Sequence, residues 1–556
     1  MPSKEHLAAY YTPLELAQIL TNWAITNATD TVLDPSFGGC SFLYSALNSL
    51  QKVGAHNPGK QIYGVDIAED SSNYLEPLIA SGASMSQFIK GDFFSITPKN
   101  LIDTPFAVVV GNPPYIRYHD IPKDLQHRAI SRLAEVGLEI SGRASYWAFF
   151  LLYSMQFLRE GGRLAMILPG ALLHTDYSEH VRSLLVRFFR TTTIVLLNER
   201  VFDGTDEESV LVLASGAREK HESVQVVSAK NLEVLRVIVE SIDSHTPRPS
   251  DDLVGDGQWL RALVDKGILD DYEDLIQQRK LVRLGEYVSP RIGVVTGNNN
   301  FFILSPDDQK RLSIPDNYLI PIVPRATYLK GLSVTKKRLL KNFASNTKHL
   351  LLSIKAGDEL PESVLEYLQI GEQTGISDAR KCKDRRIWYV VPYTFAPSAF
   401  LPIMVASWPR IVVNRSGYTC TNNILRLEWR KAPLDIDWYT LAVGTLSSVS
   451  QLSSELVGRS YGGGVLKLEP REFSQLVIPV LPSDLIKDLK VKINTLLWED
   501  RLREATEAVD TVLIDAGILS PDMVQAFRRA RNILFLRRRH HRNDIFKILG
   551  DEWEST

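Results

Sequence analysis

Short β-rich segments alternate with helical patterns through the first 215 residues, and no other feature restricts the fold as much. The β-rich segments lie at 31–36, 61–67, 86–93, 106–112, 162–169, 191–197 and 209–215. Helical periodicity fills 14–25, 40–53, 146–158 and 180–189. Strands separated by helices do not close as hairpins; they pair in parallel, with helices covering both faces of the sheet. Seven strands are expected. The last two are joined by VFDGTDEE, which has no helical pattern, so one of them is expected to run antiparallel.

At 556 residues the chain is long enough for two or three domains. The stretch SIDSHTPRPSDDLVGDG at 241–257 is rich in Ser, Pro, Asp and Gly and reads as a boundary. The expected division is an α/β domain over 1–245, a mixed α+β domain over 246–482, and a helical extension over 483–556. The middle part carries short β patterns (FFIL, RIWYVV, RIVVNR, ILRLEW, QLVIPV), and the last part ends in RRARNILFLRRRHHRND. Between Tyr115 and Tyr146 the periodicity is weak, and 116–145 is expected as a long functional loop carrying Arg117, Arg128, Arg132 and Arg143.

Charge is uneven: residues 1–245 hold 20 Lys and Arg against 27 Asp and Glu, whereas 246–556 hold 43 against 38. Such a balance fits a small-molecule site joined to a polyanion-binding surface, and it fits ordinary scatter of surface charge as well. No apolar run has the length to cross a bilayer, and MPSKEHLAAYYTP lacks the core of a signal peptide. Cys40, Cys382 and Cys420 are too few and too scattered for a disulfide framework or a metal site, so a reducing cytoplasm is expected. Cys40 reads as a small helix residue.

Four strand ends carry polar groups. VLDPSFGG ends a strand in Asp34 and turns through Gly38 and Gly39 into a helix; in a doubly wound sheet, ligands meet the carboxyl edge at such turns. YGVDI ends in Asp66, a carboxylate suited to a ribose diol. GDFF supplies Asp92 and Phe93, for an adenine amino group and ring face. GNPPY supplies Asn112, Pro113, Pro114 and Tyr115. Each acid taken singly reads equally as a solvated strand end or a helix cap.

In order, DPSFGG, VD, GDFF and GNPPY, each at a strand's end, resemble the S-adenosylmethionine-dependent amino-methyltransferases, whose catalytic domain is a Rossmann-like, seven-stranded α/β fold. The preceding YYTPLELAQIL resembles the segment beside this site in the N6-adenine DNA methyltransferases, and its place before the glycine turn is similar to the gamma order of that family. The resemblance spans 9–215. It departs at SFGG, where Ser36 and Phe37 replace the small residues common in the family. It implies S-adenosylmethionine held by Tyr11, Thr12, Asp34, Pro35, Ser36, Gly38, Asp66, Ile67, Asp92, Phe93 and Asn112, with Thr12 on the methionine carboxylate. It also implies that Phe202 of VFDG lies against the target base.

The tetrad Asn112-Pro113-Pro114-Tyr115 answers a chemical problem. The exocyclic amine of adenine is a poor nucleophile because its lone pair is delocalised into the ring. Two acceptors taking its two hydrogens draw the nitrogen toward a tetrahedral shape and aim the lone pair at the methyl. The Asn112 side-chain oxygen and the Pro113 carbonyl are those candidates, and the prolines fix the carbonyl beforehand. Tyr115 offers a face for the base, worth about 1–3 kcal/mol. The base must leave the duplex stack to be reached.

YVSPRIGVVTGNNNFFIL (287–304) and RSYGGGVLKLEPREFSQLVIPV (459–480) resemble the target-recognition region of the same family. DNA contacts are expected from Arg117, Arg143, Thr296, Asn298, Asn299, Arg385, Arg386 and Gly463; tight hairpin turns are the competing reading. Arg528, Arg531, Arg538, Arg539 and Arg542 are expected to track phosphates or to solvate a terminal helix. Pro306-Asp307 and Asp488-Leu489-Lys490 are similar to fragments of a magnesium nuclease site but lie far apart, so no cleavage by this chain alone is expected. The implied function is N6-adenine methylation of double-stranded DNA, beside a separate restriction endonuclease or defence-system subunits. Methylation of RNA, of a protein glutamine or of cytosine N4, and a partner-dependent DNA-binding subunit, are the alternatives.

Overall fold

The computed structural model describes residues 12–174, 176–197, 209–244, 259–431, 436–461 and 464–539. The chain divides into two compact units, 1–264 and, 461–463 aside, 265–556.

The first unit opens with α1 (Leu14–Ala24), which buries Leu16, Ala17, Ile19, Leu20, Trp23 and Ala24 along one face and ends where Ile25 turns extended. Then follow β1 (Val32–Asp34), α2 (Ser41–Lys52), β2 (Ile62–Asp66), β3 (Phe88–Lys90) and β4 (Phe106–Gly111). After them come α3 (Lys123–Glu135), α4 (Tyr146–Ser154), β5 (Leu158–Pro169) and α5 (Asp176–Phe188). The unit continues with β6 (Phe189–Leu197), β7 (Ser209–Ala217), β8 (Ser223–Ala229) and α6 (Leu232–Ser241).

The sheet order is β3-β2-β1-β4-β5-β7-β6-β8. All pairs from β3 to β5 are parallel, and β7 runs antiparallel to both its neighbours, as the sequence VFDGTDEE, without a helical pattern, predicts for one of the last two strands. One correction is β8, an eighth strand parallel to β6. Its sequence SVQVVSA buries Val224 and Val226 in one apolar layer and Ala229 in the other, and of its seven residues only Ser228 is exposed. Two apolar layers cover the sheet faces: one centres on Phe93, Phe106, Trp147 and Phe157, the other on Leu20, Leu43, Ile62 and Val108.

The stretch 116–145 is not a loop throughout. It holds α3, which buries Leu125, Ala129 and Leu133 at four-residue spacing and exposes a charged remainder. Every residue of α4 is buried, which explains a helix without a polar face. Its helical pattern runs on in the sequence to 158, but a 3₁₀ turn (Met155–Phe157) ends it and Leu158 already begins β5.

The second unit contains a five-stranded sheet of β9 (Val288–Ile292), β10 (Ser333–Thr335), β11 (Ala399–Pro402), β12 (Val412–Arg415) and β13 (Ile424–Trp429), in the order β9-β13-β11-β12-β10. Its helices include α7 (Lys336–Asn342), α8 (Ser448–Val457), α9 (Ser483–Trp498), α10 (Leu502–Asp515) and α11 (Pro521–Arg538). RIWYVV, expected as a strand, is irregular, because Trp388 turns inward against Phe301 and Phe302.

The arginines of α11 do not form a phosphate-tracking face. Arg538 and Glu455 are 0% and 1% exposed and paired at 2.7 Å, and Arg538 also donates to the carbonyls of Ser407 and Gly464. Arg531 donates to Gln451 Oε1 at 2.7 Å, and Arg528 pairs with Asp510 at 2.8 Å. Arg539 is buried as well. Arg528, Arg531 and Arg538 are thus satisfied by Asp510, Gln451 and Glu455 where α8, α10 and α11 meet, as buried charges must be. Arg542 lies outside the described residues. No helix among the described residues is long and apolar enough to cross a membrane.

Candidate active site

The strand order reverses between β1 and β4: β2 and β3 continue on one side of β1, and β5 continues on the far side of β4. Connections leave in opposite directions at such a point, so a crevice opens beyond the carboxyl ends of the two strands. Asp34 ends β1, and Gly111 ends β4 and leads into Asn112.

The two strand ends approach closely. A Cβ on Gly111 would lie 3.0 Å from Asp34 Oδ1 and 3.3 Å from Pro35 Cδ, so only glycine leaves the carboxyl undisturbed. Ser36 N–H donates to Asp34 Oδ1 at 3.0 Å, and Ser36 Oγ donates to the Asn112 carbonyl at 3.4 Å. The first glycine turn and the Asn-Pro-Pro turn are thereby tied together. Asn112 Nδ2 donates to Thr12 Oγ1 at 3.3 Å, which joins the segment before α1 to the same cluster. Gly111→Ala is expected to push Asp34 aside and weaken cofactor binding about tenfold, a loss of roughly 1.4 kcal/mol, while the sheet stays folded. Calorimetric titration with S-adenosylhomocysteine checks this, and an unchanged Kd would count against the close approach.

Asp34 is 1% exposed. Burial pushes its carboxyl up to about 8; the Ser36 N–H opposes the rise, and the charge of Asp66 adds to it. Asp66 accepts Gly38 N–H at 2.8 Å on one oxygen and Ala68 N–H at 2.7 Å on the other. Its carboxyl is also raised, by burial first, with both N–H donors opposing. Each Asp66 oxygen keeps lone-pair capacity for a further donor. Gly38 has φ +45°, and a Cβ built there meets nothing within 4 Å, so the turn faces open space. Beside it Ile67, 46% exposed, presents apolar surface at the end of β2.

Pro35 and Pro113 are buried, while Ser36, Pro114 and Tyr115 are half-buried, Tyr115 against the core beneath the site. Phe37, the departure from small residues in the turn, points into the core edge-on to Phe88. Cys40 is not within a helix: it precedes α2 in a left-handed conformation at φ 64°, and burial pushes its thiol up to about 12. That protonated thiol is inert.

Two expectations change at the end of β3. The Phe93 ring is 2% exposed and packed among Phe150, Tyr153 and Phe157, so it has no face to give a ligand. Asp92 Oδ1 accepts Phe94 N–H, and Oδ2 pairs with Arg128 Nε of α3 at 2.8 Å. Arg128 is a site neighbour that its place in a weakly periodic stretch concealed. Tyr11, Phe202 and Gly463 lie outside the described residues.

Of the residues expected to touch DNA, Arg117 and Arg143 are exposed and make no ion pair among the described residues. Asn298 instead caps the short helix Asn299–Phe302 by accepting Phe301 N–H, and buried Thr296 donates to Asn299 Oδ1 at 2.6 Å. Arg385 donates to the carbonyls of Val295, Thr296 and Trp388, so its guanidinium clamps this turn from within. Arg386 is exposed.

Residues 3–237 match the N-6 DNA Methylase family, and residues 256–514 match the C-terminal domain family of Type II methyltransferase M.Eco57I. Type II methyltransferase M.AccI of Acinetobacter calcoaceticus is 23% identical over 488 residues, covering 85% of each chain. M.XamI of Xanthomonas campestris pv. amaranthicola is 23% identical over 492 residues, again 85% of each. Among solved structures, the Type IIL restriction-modification enzyme MmeI, determined in complex with DNA, aligns over 94% of this chain and 75% of its own at 12% identity, TM-score 0.54. The type IIG restriction endonuclease BpuSI aligns over 98% of this chain and 66% of its own at 16% identity, TM-score 0.42.

Proposed function

We propose, from the premise that the chain belongs to the N6 DNA methylase family of restriction–modification methyltransferases, that it moves a methyl group from S-adenosylmethionine to the exocyclic N6 of an adenine turned out of duplex DNA. The observation that carries this reading is Asn112-Pro113-Pro114-Tyr115 at the end of β4, across the strand-order reversal from the buried carboxyl of Asp34.

The residues present fit the cofactor. Asp34, a buried acid with no cationic partner among the described residues, suits the positive end of the methionine moiety. Asp66 suits the ribose hydroxyls, the open turn at Gly38 admits the ligand backbone, and exposed Ile67 suits a purine face. Thr12, Pro35 and Ser36 border the same space. S-adenosylmethionine bound there supplies a methyl group already activated by its positive sulfur.

The chain's own contribution is orientation. Asn112 spends Nδ2 on Thr12, so the atom it offers to an amine hydrogen is Oδ1. The Ser36 bond to the Asn112 carbonyl fixes the peptide ahead of Pro113, and the two prolines hold the Pro113 carbonyl in one direction. Two acceptors set before the base arrives localise the N6 lone pair without reorganisation at the transition state. The surplus proton leaves from the methylated amine toward water; no covalent intermediate with the protein is needed. Tyr115 stacks on the base and offsets part of the cost of unstacking it.

Tyr115→Ala is expected to weaken capture of the extruded base by about 1–3 kcal/mol. The rise in 2-aminopurine fluorescence at the target position should then be largely lost, and a normal rise would contradict the stacking role. Label from methyl-tritiated S-adenosylmethionine should enter duplex DNA; its appearance instead in structural RNA or in a glutamine-bearing release factor would overturn the DNA reading. Such an enzyme marks DNA against a separate restriction endonuclease or serves within a defence complex.

A further inference from the structure

Acidic residues are missing from a long part of the second unit. No Asp or Glu occurs between Asp316 and Asp358, whereas Arg325, Lys330, Lys336, Lys337, Arg338, Lys341, Lys348 and Lys355 do. A second acid-free tract runs from Arg385 to Leu427 and contains Arg415. The fold brings the two tracts together: β10 pairs in parallel with β12, and Thr335 stands opposite Arg415. The next residue, Lys336, begins α7.

On α7 one residue, Leu339, is buried, and it anchors the helix on a small core with Val334, Phe400, Val412 and Tyr418. At 100° per residue, the direction opposite Leu339 falls between Lys337 and Lys341, whereas Lys336 lies on the flank, about 60° from Leu339, directly after Thr335 and so on the side of Arg415. All three lysines are exposed, as are Arg415 and Arg325, the latter at the turn that packs on the same core. None of these five makes an ion pair among the described residues. Their neighbours are accounted for differently: Lys330 faces Asp500, Lys348 faces Asp308, and Arg338 lies over the Trp498 ring at 5.1 Å.

A run of exposed cations without carboxylates repels itself, and that cost is offset only when a polyanion covers it. We propose that the face formed by Lys336, Lys337, Lys341, Arg325 and Arg415 is the surface on which this unit holds the sugar–phosphate backbone of duplex DNA. The proposal rests on the DNA methyltransferase reading and adds where the recognition unit grips its substrate. Lysines meet phosphates as point charges and read no base, so this face contributes affinity and salt dependence but no sequence preference.

The test is DNA binding by the full chain, followed by fluorescence anisotropy over a series of salt concentrations. Three proteins are compared: wild type, K336Q/K337Q/K341Q, and K487Q/K492Q as a control on exposed positions of α9 interleaved with Asp484 and Asp488. The triple variant should fold with unchanged Tm and lose on the order of 100-fold in affinity at low salt. Its slope of log K against log salt should become shallower by about 2.7, while its preference among DNA sequences stays that of wild type. The control should match wild type. An unchanged slope in the triple variant, or an equal change in the control, would overturn the proposed face while wild-type binding left the DNA reading standing. Absence of wild-type DNA binding would overturn both.

Discussion

Asn112→Ala is expected to lower methyl transfer by about 10³-fold while leaving cofactor affinity within a few-fold of wild type. The magnitude follows from removing one preorganised polar partner of the reacting group, which costs about 10²–10³ in kcat where measured in other enzymes. Here the loss is compounded, because the Asn112 amide is also what ties Thr12 to the end of β4. The pattern matters as much as the size: an interaction realised at the transition state depresses kcat and kcat/KM together. A rise in KM alone would mean that Asn112 binds and does not orient. Pro113→Ala separates rigidity from hydrogen bonding, since it keeps the carbonyl and frees the backbone; its loss should be smaller.

The second large effect concerns Asp34 and carries a sign. Its folded-state carboxyl is pushed up to about 8 by burial, against a value near 3.8 without that environment. A group with a raised folded pKa favours the folded state while protonated. Its contribution is therefore complete below about pH 4 and is lost as pH rises toward 8. Asp34→Asn keeps an acceptor for Ser36 N–H and has no charge to desolvate. The free variant should match wild type in stability near pH 4 and exceed it increasingly above, by on the order of 4 kcal/mol at pH 7. Cofactor binding should move the other way. Ionised Asp34 is the form that meets a cation, so wild-type affinity should climb with pH up to about 8, and the variant should bind weakly with a flat profile. Denaturant titrations and calorimetry at pH 5, 7 and 8.5 read both quantities. Parallel stability profiles for the two proteins would remove the buried charge from the account.

These opposed effects are what a functional site is expected to display, because a strained or desolvated group is retained for what it does with a ligand. The same contrast explains which parts of the molecule were legible in the sequence. Strand ends were legible because Asp34, Asp66 and Asn112 each follow an apolar run, and a parallel sheet aligns such ends at one edge. The antiparallel β7 was legible from a connecting sequence without helical periodicity. By contrast, β8 escaped because Ser and Gln interrupt the short apolar run SVQVVSA, and α3 because only three of its thirteen residues are buried.

Side-chain partners were the least legible. The sequence shows Arg385 beside Arg386 and a basic run after Arg528, and both look like DNA contacts. Which guanidinium folds inward depends on distant chain: Arg385 on the carbonyls of Val295 and Thr296, Arg538 on Glu455. No local pattern encodes such pairs. Conversely, the acid-free tracts are visible in the sequence, but their alignment required the register of β10 on β12. Phe93 makes the same point in reverse. Its place after Asp92 suggests a ligand-facing ring, yet four aromatic neighbours claim it for the core.

The measurement that bears most directly on the central claim is nucleoside mass spectrometry of mixed genomic DNA incubated with the purified chain and S-adenosylmethionine, with Asn112→Ala run in parallel. The account predicts N6-methyladenine from wild type and on the order of a thousandth as much from the variant. N4-methylcytosine as the product, or equal N6-methyladenine from both proteins, would contradict it.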